Sequence, residues 1–303
     1  MSRVPDNKKL VLMNIPATHD STAYYMNRIS LNLAKTQIYT IKEQLEIGTR
    51  KFDLRITKKN KIVENDDDII CCHGICDCYA SNDFLNMTKL TFKSVIIDVK
   101  NFLLKNPTEA VLLGTSVERE GNDNTILKKA FEIFNNLLDG MIVEFKYDLT
   151  LGKSRGKVVN YTHYHEEVDK SDLKRVISRS YNLIPGTGIS QIHKKYGEYS
   201  TYKVNGNLKI QELKDMFEKY NMTLEEAEKI EQKNKKLFPL DYSISCTGEK
   251  DFCLPNPLMQ ANIVHSFIQR DGVLKKGYYY GWLKMDFANV HSNYKLIEAN
   301  FVN

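Results

Sequence analysis

The sequence predicts an α/β protein whose strand-and-helix units close into one parallel (β/α)8 barrel. Short apolar runs typical of buried strands recur along the chain, and stretches with helical spacing separate them. This alternation predicts a parallel sheet, and about eight such units fit the length of a barrel. No internal repeat and no Pro- or Gly-rich linker interrupts the pattern over the 303 residues. We therefore expect a single domain over residues 1–303.

The elements of the first half alternate regularly. The expected strands are 11–15, 51–56, 69–72, 110–113 and 157–161, and the expected helices are 41–47, 92–104 and 124–138. Gly48 suits the end of the first helix because glycine readily adopts the left-handed conformation there. Asn106-Pro107 ends the second helix because proline disfavours helical backbone in the residue before it.

The second half is less regular. Residues 162–207 show weak periodicity, after which helices are expected at 208–220, 224–237, 257–269 and 294–300, and strands at 242–246 and 278–287. Trp282 falls inside the last strand and is expected in the core. The acidic residues 64–68 are expected to form a solvated loop tip.

Composition is that of an ordinary globular protein, with 42% hydrophobic and 27% charged residues. Lys and Arg outnumber Asp and Glu by 43 to 38, and the formal charge is +5. This mild excess suits an anionic substrate or a membrane surface and does not favour a nucleic-acid partner. No apolar run is long enough for a transmembrane segment, and the first residues lack a signal-peptide core. We expect a cytoplasmic protein, or one secreted without a visible signal peptide.

Six cysteines are present, and Cys71, Cys72, Cys76 and Cys78 are close together. The spacing of the last three does not match a zinc ribbon. We expect reduced thiols, as in a cytosolic protein, and no bound metal.

Ionisable side chains stand where four of the predicted strands end. They are His19 and Asp20 after the first strand, Asp53 and Arg55 in the second, His73 after the third and Asp286 in the last. In a closed barrel these ends share one face, and the last strand lies beside the first, so that Asp286 can orient His19. One histidine can take a proton, the other can give one, and the guanidinium can hold a phosphate. This set predicts phosphodiester cleavage without a metal.

Five segments of the chain resemble a known family. They are IPATHDS, GTRKFDLR, the HG of CCHG, VKNFLLKNPTEAVLL and YGWLKMDFANV, and together they extend over nearly the whole chain. The chain resembles the bacterial-type phosphatidylinositol-specific phospholipases C, whose catalytic unit is the X domain. The resemblance implies a distorted TIM-type barrel that acts on an anionic inositol lipid at a membrane surface. We expect a monomer in peripheral contact with the membrane, without a cofactor.

The resemblance also implies a role for each residue. His19, held by Asp286, would deprotonate the inositol 2-hydroxyl, and Arg55 would bind the phosphate. His73, with Asp20 and Asp53 as partners, would protonate the departing glycerol oxygen. The products would be diacylglycerol and a 1,2-cyclic inositol phosphate. Arg55 stands where calcium-dependent relatives carry an acidic metal ligand, which implies the metal-independent branch.

The head-group pocket departs from the family pattern. Alignment places Ser116 where relatives carry a lysine, His163 at an expected arginine and Ser200 at an expected aspartate. Glu118 matches an acidic pocket residue, and Tyr202 matches the aromatic that stacks on inositol. A pocket with fewer charged partners discriminates differently among head groups. The apolar residues near the predicted helix 257–269 form either a membrane-docking lip or the buried start of that helix, and they are Phe252, Leu254, Leu258 and Met259.

Other functions stay open. One is a catalytically silent lipid-binding barrel, and another is a phosphodiesterase of the same fold with a different head group, such as a glycosylated inositol lipid. A glycerophosphodiesterase-like barrel would use a metal held by several carboxylates, and its His-Arg-Gly signature is absent from this sequence. The complete set of acid–base residues favours an enzyme.

Overall fold

The computed structural model describes residues 1–26, 34–81, 83, 87–119, 124–146, 148–161, 206–234, 241–243 and 256–302. Its strands are β1 (Ile15–Thr18), β2 (Lys51–Lys58), β3 (Ile69–His73), β4 (Cys76–Asp77), β5 (Ala110–Val117), β6 (Ile142–Glu144), β7 (Lys157–Asn160), β8 (Asp241–Ser243) and β9 (Trp282–Met285). Its α-helices are α1 (Ile41–Glu46), α2 (Phe92–Lys105), α3 (Asn124–Leu137), α4 (Leu151–Ser154), α5 (Gly206–Lys219), α6 (Leu224–Asn234), α7 (Pro257–Ile268) and α8 (Val290–Glu298). None of the described helices combines the length and apolar character that a bilayer span requires.

Seven strands form a parallel sheet in the order β6-β7-β5-β2-β1-β9-β8. The sheet is strongly curved. Tyr161 directly follows β7 and Trp282 begins β9, four strand spacings away, which would be roughly 19 Å in a flat sheet. Their ring centroids are nevertheless 5.3 Å apart. The strands therefore bend towards one another around a shared interior, as in a barrel. Among the described residues, the end strands β6 and β8 are not paired with each other.

The interior of this curved sheet is partly polar. In β2, successive side chains point to opposite faces, so Phe52 and Leu54 pack outward against the helices. The opposite face of β2 carries Lys51, Asp53 and Arg55. The Lys51 Nζ atom lies 5.0 Å from the centroid of the Tyr161 ring and 5.4 Å from that of Trp282. The inner face of β2 thus contacts buried aromatic rings at its amino end and carries charged groups at its carboxyl end.

Two hydrophobic cores enclose the sheet. One lies between the sheet and α1, α2 and α3, and its members include Leu45, Val95 and Ile133. The other surrounds β1 and β9 and extends to α5, α6 and α7. Trp282 is fully buried in the second core, as the sequence predicts.

The third strand differs from the prediction. The 69–72 run was expected to be a parallel barrel strand, but β3 is antiparallel to β2 and forms a hairpin with β4. A short, uniformly apolar run fits a parallel or an antiparallel strand equally well, so the sequence does not reveal the direction of this strand. His73 consequently reaches the site from a hairpin and not from the end of a barrel strand.

The first predicted strand is also misplaced. Residues Leu10–Leu12 form a 3-10 helix, and the strand begins only at Ile15. The apolar run is buried because it covers one end of the sheet: the Trp282 Nε1–H donates to the Leu10 carbonyl at 3.3 Å. Uniform burial hides the period that would separate helix from strand.

Most other elements agree with the prediction within a few residues, with instructive exceptions. The last strand, β9, is shorter than the predicted 278–287. The side chain of Asn14 forms hydrogen bonds with the backbone groups that precede β9, so these groups do not extend the strand. The last helix begins at Val290, since Asn289 accepts from the first-turn N–H groups of His291 and Ser292. The sequence shows no pattern that predicts the short elements β4, β6 and α4. Residues 235–237 and 244–246 lie outside the described residues.

The acidic stretch is more ordered than a solvated tip. Residues Asp66–Asp68 form a 3-10 helix, and the Asp68 carboxylate accepts the backbone N–H groups of Glu64 and Asn65. Asp66 pairs with Lys129 of α3 at 3.0 Å. The expectation of a solvated tip was therefore wrong for Asp68, which is nearly buried.

The described cysteines are free thiols, and Cys71, Cys72 and Cys78 are buried. Burial raises the pKa of the Cys71 thiol well above its usual value. These three side chains therefore behave as small apolar groups of the core. Cys246 and Cys253 lie outside the described residues.

We expect Gly114→Ala to destabilise the fold. A Cβ at this position in β5 would stand 2.7 Å from the Tyr161 carbonyl oxygen, a backbone atom that cannot rotate away. Overpacking of this kind costs about 1–3 kcal/mol of unfolding free energy. Urea denaturation of Gly114→Ala and of the control Ser116→Ala, two residues along the same strand, measures the difference. Equal stability of the two variants would contradict the close approach of β5 and Tyr161.

Candidate active site

The register of two neighbouring strands brings His19 and Asp286 together. Thr18 pairs with Met285 at the carboxyl ends of β1 and β9, and the next residue of each strand is the ionisable one. The His19 N–H donates to the Met285 carbonyl at 3.2 Å, which extends the ladder by one bond. The His19 Nδ1 atom lies 2.9 Å from an oxygen of Asp286. The structure thus joins residues that are 267 positions apart in sequence.

Two further ionisable side chains of the site, Asp53 and Arg55, lie on the inner face of β2. The Arg55 guanidinium forms ion pairs with three carboxylates: its Nε contacts Asp20, its Nη1 lies 2.6 Å from Glu118, and its Nη2 lies 3.6 Å from Asp53. Burial disfavours the charged form, but Asp53, Asp20 and Glu118 outweigh this and raise the pKa of Arg55. The guanidinium is therefore a fixed, permanent cation at the carboxyl end of β2.

Asp20 links the three basic groups of the site. Its backbone has φ of 41°, in the left-handed region, where a residue other than glycine stores strain. This turn buries the carboxylate, whose Oδ2 lies 2.9 Å from His73 Nε2 and 3.3 Å from His19 Nε2. Burial would raise the pKa of Asp20, but His19, Arg55 and His73 together lower it. Asp20 is a carboxylate anion shared by two histidines.

The β3–β4 hairpin carries His73 and is held on both sides of its tip. Gly74 has φ of +54°, which suits glycine at this turn. Its N–H donates to Glu118 at 2.7 Å, and its carbonyl accepts from Arg119 Nε at 2.7 Å. Arg119 also donates to Asp77 within the hairpin. Glu118 and Arg119 therefore fix the turn that presents His73.

The contacts of His73 identify its protonation state. Its Nδ1 lies 2.7 Å from the Ala34 carbonyl oxygen and its Nε2 lies 2.9 Å from the Asp20 carboxylate. Both partners only accept hydrogen bonds, so each ring nitrogen carries a proton. Burial lowers the pKa, but the hydrogen bond and the charge of Asp20 outweigh it and raise the pKa of His73 to about 9. His73 is a cation at neutral pH.

His19 has different partners. Its Nδ1 faces the Asp286 carboxylate, whereas its Nε2 lies 3.1 Å from Arg55 Nη2, which can only donate, and 3.3 Å from the Asp20 carboxylate, which only accepts. A neutral ring protonated at Nδ1 satisfies the Asp286 and Arg55 contacts, and a charged ring satisfies the Asp286 and Asp20 contacts. Burial disfavours the charged ring, but the charges of Asp20 and Asp286 exceed this effect and raise the pKa of His19. The ring is therefore prepared to accept a proton.

Asp53 lies on the inner side of Arg55. Its backbone N–H donates to Ser21 Oγ at 2.8 Å, and its carboxylate is 3.5 Å from the Asp20 N–H. Burial would raise its pKa, but the charges of Arg55 and Lys284 outweigh this effect and lower it. Among the described residues, the expected contact of Asp53 with His73 is absent. The carboxylate that contacts His73 there is Asp20. Since Arg55 lies beside Asp53, the carboxylate is occupied by the guanidinium.

The structure describes only part of the predicted head-group pocket. Ser116 is half-buried and pairs in register with Arg55 on the neighbouring strand, and Glu118 lies two residues further on. Leu258 and Met259 are exposed on the first turn of α7, 41% and 52% respectively. The other predicted pocket and rim residues lie outside the described residues, and they are His163, Ser200, Tyr202, Phe252 and Leu254.

Several supporting residues were missed at the sequence level. His265 is buried in α7 and contacts the Asp286 carbonyl oxygen and Ser292 Oγ, each at 2.9 Å. Gln37 and Thr36 bind the loops that follow β1 and β9. A lone polar residue in a loop or an apolar helix gives no spacing signal, so only the fold reveals these contacts.

A metal could in principle be held by His19, Asp20 and Asp53, whose ligand atoms lie within 4.8 Å of one another. The donor set of one imidazole and two carboxylates suits a divalent cation. However, Arg55 contacts all three of these residues. The guanidinium supplies the positive charge at the place that such a cation would occupy.

Comparison with known proteins shows which family the chain resembles. Residues 13–159 match the family model described as phosphatidylinositol-specific phospholipase C, X domain. A protein of Listeria monocytogenes named 1-phosphatidylinositol phosphodiesterase is 30% identical over 127 residues, which are 41% of this chain and 34% of the relative. The chain thus spans about a third of the length of this curated relative, counted over the segment that aligns.

Solved structures extend the likeness to the whole chain. A phosphatidylinositol-specific phospholipase C from Staphylococcus aureus with incorporated pentafluoro-Phe superimposes with a TM-score of 0.68 at 19% identity, covering 99% of this chain and 96% of that one. The Listeria monocytogenes phosphatidylinositol-specific phospholipase C superimposes with a TM-score of 0.58 at 21% identity, covering 100% and 98%. At these identities the likeness shows the fold, a distorted TIM-type barrel. The chain thus resembles the phosphatidylinositol-specific phospholipases C in sequence over residues 13–159 and shares their fold over nearly its whole length.

Proposed function

We propose that this chain is a phospholipase C that cleaves inositol phospholipids at a membrane surface. Attack of the inositol 2-hydroxyl on the neighbouring phosphorus releases diacylglycerol and leaves a 1,2-cyclic inositol phosphate. The match of residues 13–159 to the family model supports the reaction class, and the arrangement of His19, Arg55 and His73 supports the mechanism.

One observation carries the proposal: the two histidines of the site have different hydrogen-bonding partners. Both nitrogens of His73 face acceptors only, whereas His19 faces an acceptor at Nδ1 and both the Arg55 donor and the Asp20 carboxylate at Nε2. These partners favour His73 as the acid and allow a neutral His19 to act as the base. Their ring centroids are 6.3 Å apart, which leaves a phosphodiester within reach of both.

The first step transfers two protons. The His19 Nε2 atom takes the proton of the 2-hydroxyl as its oxygen bonds to phosphorus, and Asp286 stabilises the imidazolium that forms. The bond from phosphorus to the glycerol oxygen breaks, and His73 gives that oxygen its proton. Arg55 donates to the phosphate oxygens on which charge builds up. The nucleophile belongs to the substrate and is already adjacent to the phosphorus, so no external water is needed.

The reverse exchange would open the cyclic product. His73, now neutral, can take a proton from water, and His19, now charged, can return one to the 2-oxygen. This second step needs a water molecule to attack and loses the advantage of an intramolecular nucleophile, so it is slower.

The head group is less closely defined than the chemistry. Ser116 offers a hydroxyl beside Arg55 where relatives carry a lysine, which removes one cation from the pocket. We propose phosphatidylinositol or a glycosylated inositol lipid as the substrate. A catalytically silent lipid-binding barrel is the alternative that the assays below decide.

We expect the protein to release diacylglycerol from phosphatidylinositol vesicles, and His19→Ala and His73→Ala each to lose about 10²–10⁴-fold in rate. The reason is that one variant lacks the base and the other the acid. Release of radiolabelled diacylglycerol and a thermal melt of each variant are the measurements. His291→Ala, an exposed histidine on α8, is the control and should keep the full rate. Vesicle binding without turnover by the unmodified protein would contradict the proposal in favour of the silent barrel.

We expect a bell-shaped dependence of kcat/KM on pH. The rate should rise as His19 loses its proton, above the ordinary histidine value of about 6.5, because its pKa is raised. It should fall through about pH 9, as His73 loses its proton. Asp20→Asn should move the alkaline limb to lower pH, because Asp20 raises the pKa of His73. The control is Asp66→Asn, whose carboxylate pairs with Lys129. An alkaline limb unmoved by Asp20→Asn would show that His73 is not the acid.

We expect turnover to persist in EDTA and to depend on the shape of the Arg55 side chain. Arg55→Lys keeps the charge but loses the planar set of donors, so the rate should fall on the order of 10²-fold, as when one donor to a developing anion is removed. Arg50→Lys is the control, since Arg50 pairs with Glu109 at the opposite end of β2. Strong inhibition of the unmodified protein by EDTA, reversed by calcium, would overturn the assignment of Arg55.

A further inference from the structure

We propose that Gln37 is a positioning residue that holds His19 and Asp286 in catalytic register by clamping the carboxyl ends of β1 and β9. This inference rests on the proposed function for its kinetic consequence, whereas the clamp itself is a property of the fold. Gln37 touches neither ring nor carboxylate, so it would act on the reaction only through the backbone of the two residues.

The side chain of Gln37 forms three hydrogen bonds to these two strands and to the residues that directly follow them. Its Nε2 donates to the His19 carbonyl at 2.9 Å and to the Met285 carbonyl at 3.0 Å. Its Oε1 accepts the Ala288 N–H at 3.0 Å. Gln37 is fully buried, so no water competes for these groups. One amide thus ties the residue that is the base to the segment that carries its carboxylate.

Thr36 reinforces the same connection. Its Oγ1 donates to the Asp20 carbonyl at 2.9 Å, and its own carbonyl accepts the Phe287 N–H at 2.6 Å. Asp20 and Phe287 directly follow the two ionisable residues, and both have positive φ, 41° and 51°. Left-handed backbone at residues other than glycine persists only where the surroundings hold it. Residues 36 and 37 supply that restraint for both turns at once.

The opposite ends of the same strands carry a matched clamp without catalytic groups. Asn14 precedes β1, is almost fully buried, and donates from Nδ2 to the Tyr278 carbonyl at 2.8 Å. Its Oδ1 accepts the N–H groups of Tyr280 at 2.6 Å and Gly281 at 3.0 Å. Asn14 therefore joins β1 to β9 as Gln37 does, but at the far end. Loss of either amide should cost stability, and only loss of Gln37 should alter the ionisable pair.

The titration of His19 reports the quality of that pair. The groups facing the ring come from the turn after β1, from β2, from β3 and from the end of β9, and they are Asp20, Asp53, Arg55, His73 and Asp286. Asp20 and Asp286 raise the pKa of His19. A looser β1–β9 end weakens the Asp286 contact first, because Asp286 is the one group facing the ring that lies at the end of β9. The pKa of His19 should then fall.

The test compares Gln37→Met with Asn14→Leu, which replace each amide with an apolar side chain of similar size. The pKa of His19 is followed by NMR of its ring as a function of pH, and kcat and KM are measured on phosphatidylinositol vesicles. Gln37→Met should lower kcat between about 10- and 100-fold with little change in KM, and should lower the pKa of His19. Asn14→Leu should lower the melting temperature but leave the kcat and that pKa unchanged. Asp286→Asn gives the shift expected for complete loss of the carboxylate charge.

An unchanged His19 titration in a folded Gln37→Met variant would overturn the inference, as would an equal shift in Asn14→Leu. Should Gln37→Met not fold, Thr36→Val removes a single hydroxyl bond to Asp20 and should move the His19 titration in the same direction by less; no movement would also overturn it. The ring titration needs no turnover. Failure of the proposed phospholipase activity would therefore appear in the unmodified protein, with the effect of Gln37 on His19 still measurable.

Discussion

Parallel hydrogen bonding between β1 and β9 pairs Ile15–Thr18 with Trp282–Met285, and the geometry of the site follows from that register. A shift of one residue would turn each side chain to the other face of the sheet. His19 would then face the helices, away from Arg55. The register is fixed at both ends by buried amides, at one end by Asn14 and at the other by Gln37. Packing of Trp282 against Tyr161 and Lys51 inside the curved sheet restricts this register further.

Charge balance sets the second constraint. Arg55 is enclosed by Asp20, Asp53 and Glu118, and isolated burial of any one of these groups would be costly. Their mutual contacts offset that cost and hold the guanidinium in one orientation before substrate arrives. A fixed donor set loses no entropy in the reaction step, which is the advantage of a preorganised site. In the proposed mechanism an entering phosphate shares Arg55 with these carboxylates, so we expect Arg55 to act mainly on the transition state and only modestly on binding.

The sequence predicts much of the fold because the helices carry clear periods and the parallel strands are followed by helices. It predicts the contact of Asp286 with His19 only through the closed-barrel argument, since nothing local connects residues so far apart. The direction of β3 escaped prediction because its apolar run has no alternation, and Leu10–Leu12 escaped for the same reason. Gln37, Thr36 and His265 escaped because each acts through backbone groups whose neighbours are decided by the tertiary fold.

The placement of Arg55 determines how the chemistry is divided. A divalent cation held by His19, Asp20 and Asp53 could lower the pKa of a bound hydroxyl, because it would coordinate the oxygen directly. A guanidinium has no acceptor orbital for such a bond and can only donate hydrogen bonds to an anion. In the proposed mechanism, removal of the hydroxyl proton is therefore assigned to His19, whose Nε2 faces Arg55. In the same mechanism His73 protonates the departing oxygen, because a guanidinium cannot coordinate that oxygen as an alkoxide. A site built on a fixed organic cation thus calls for two histidines with different partners.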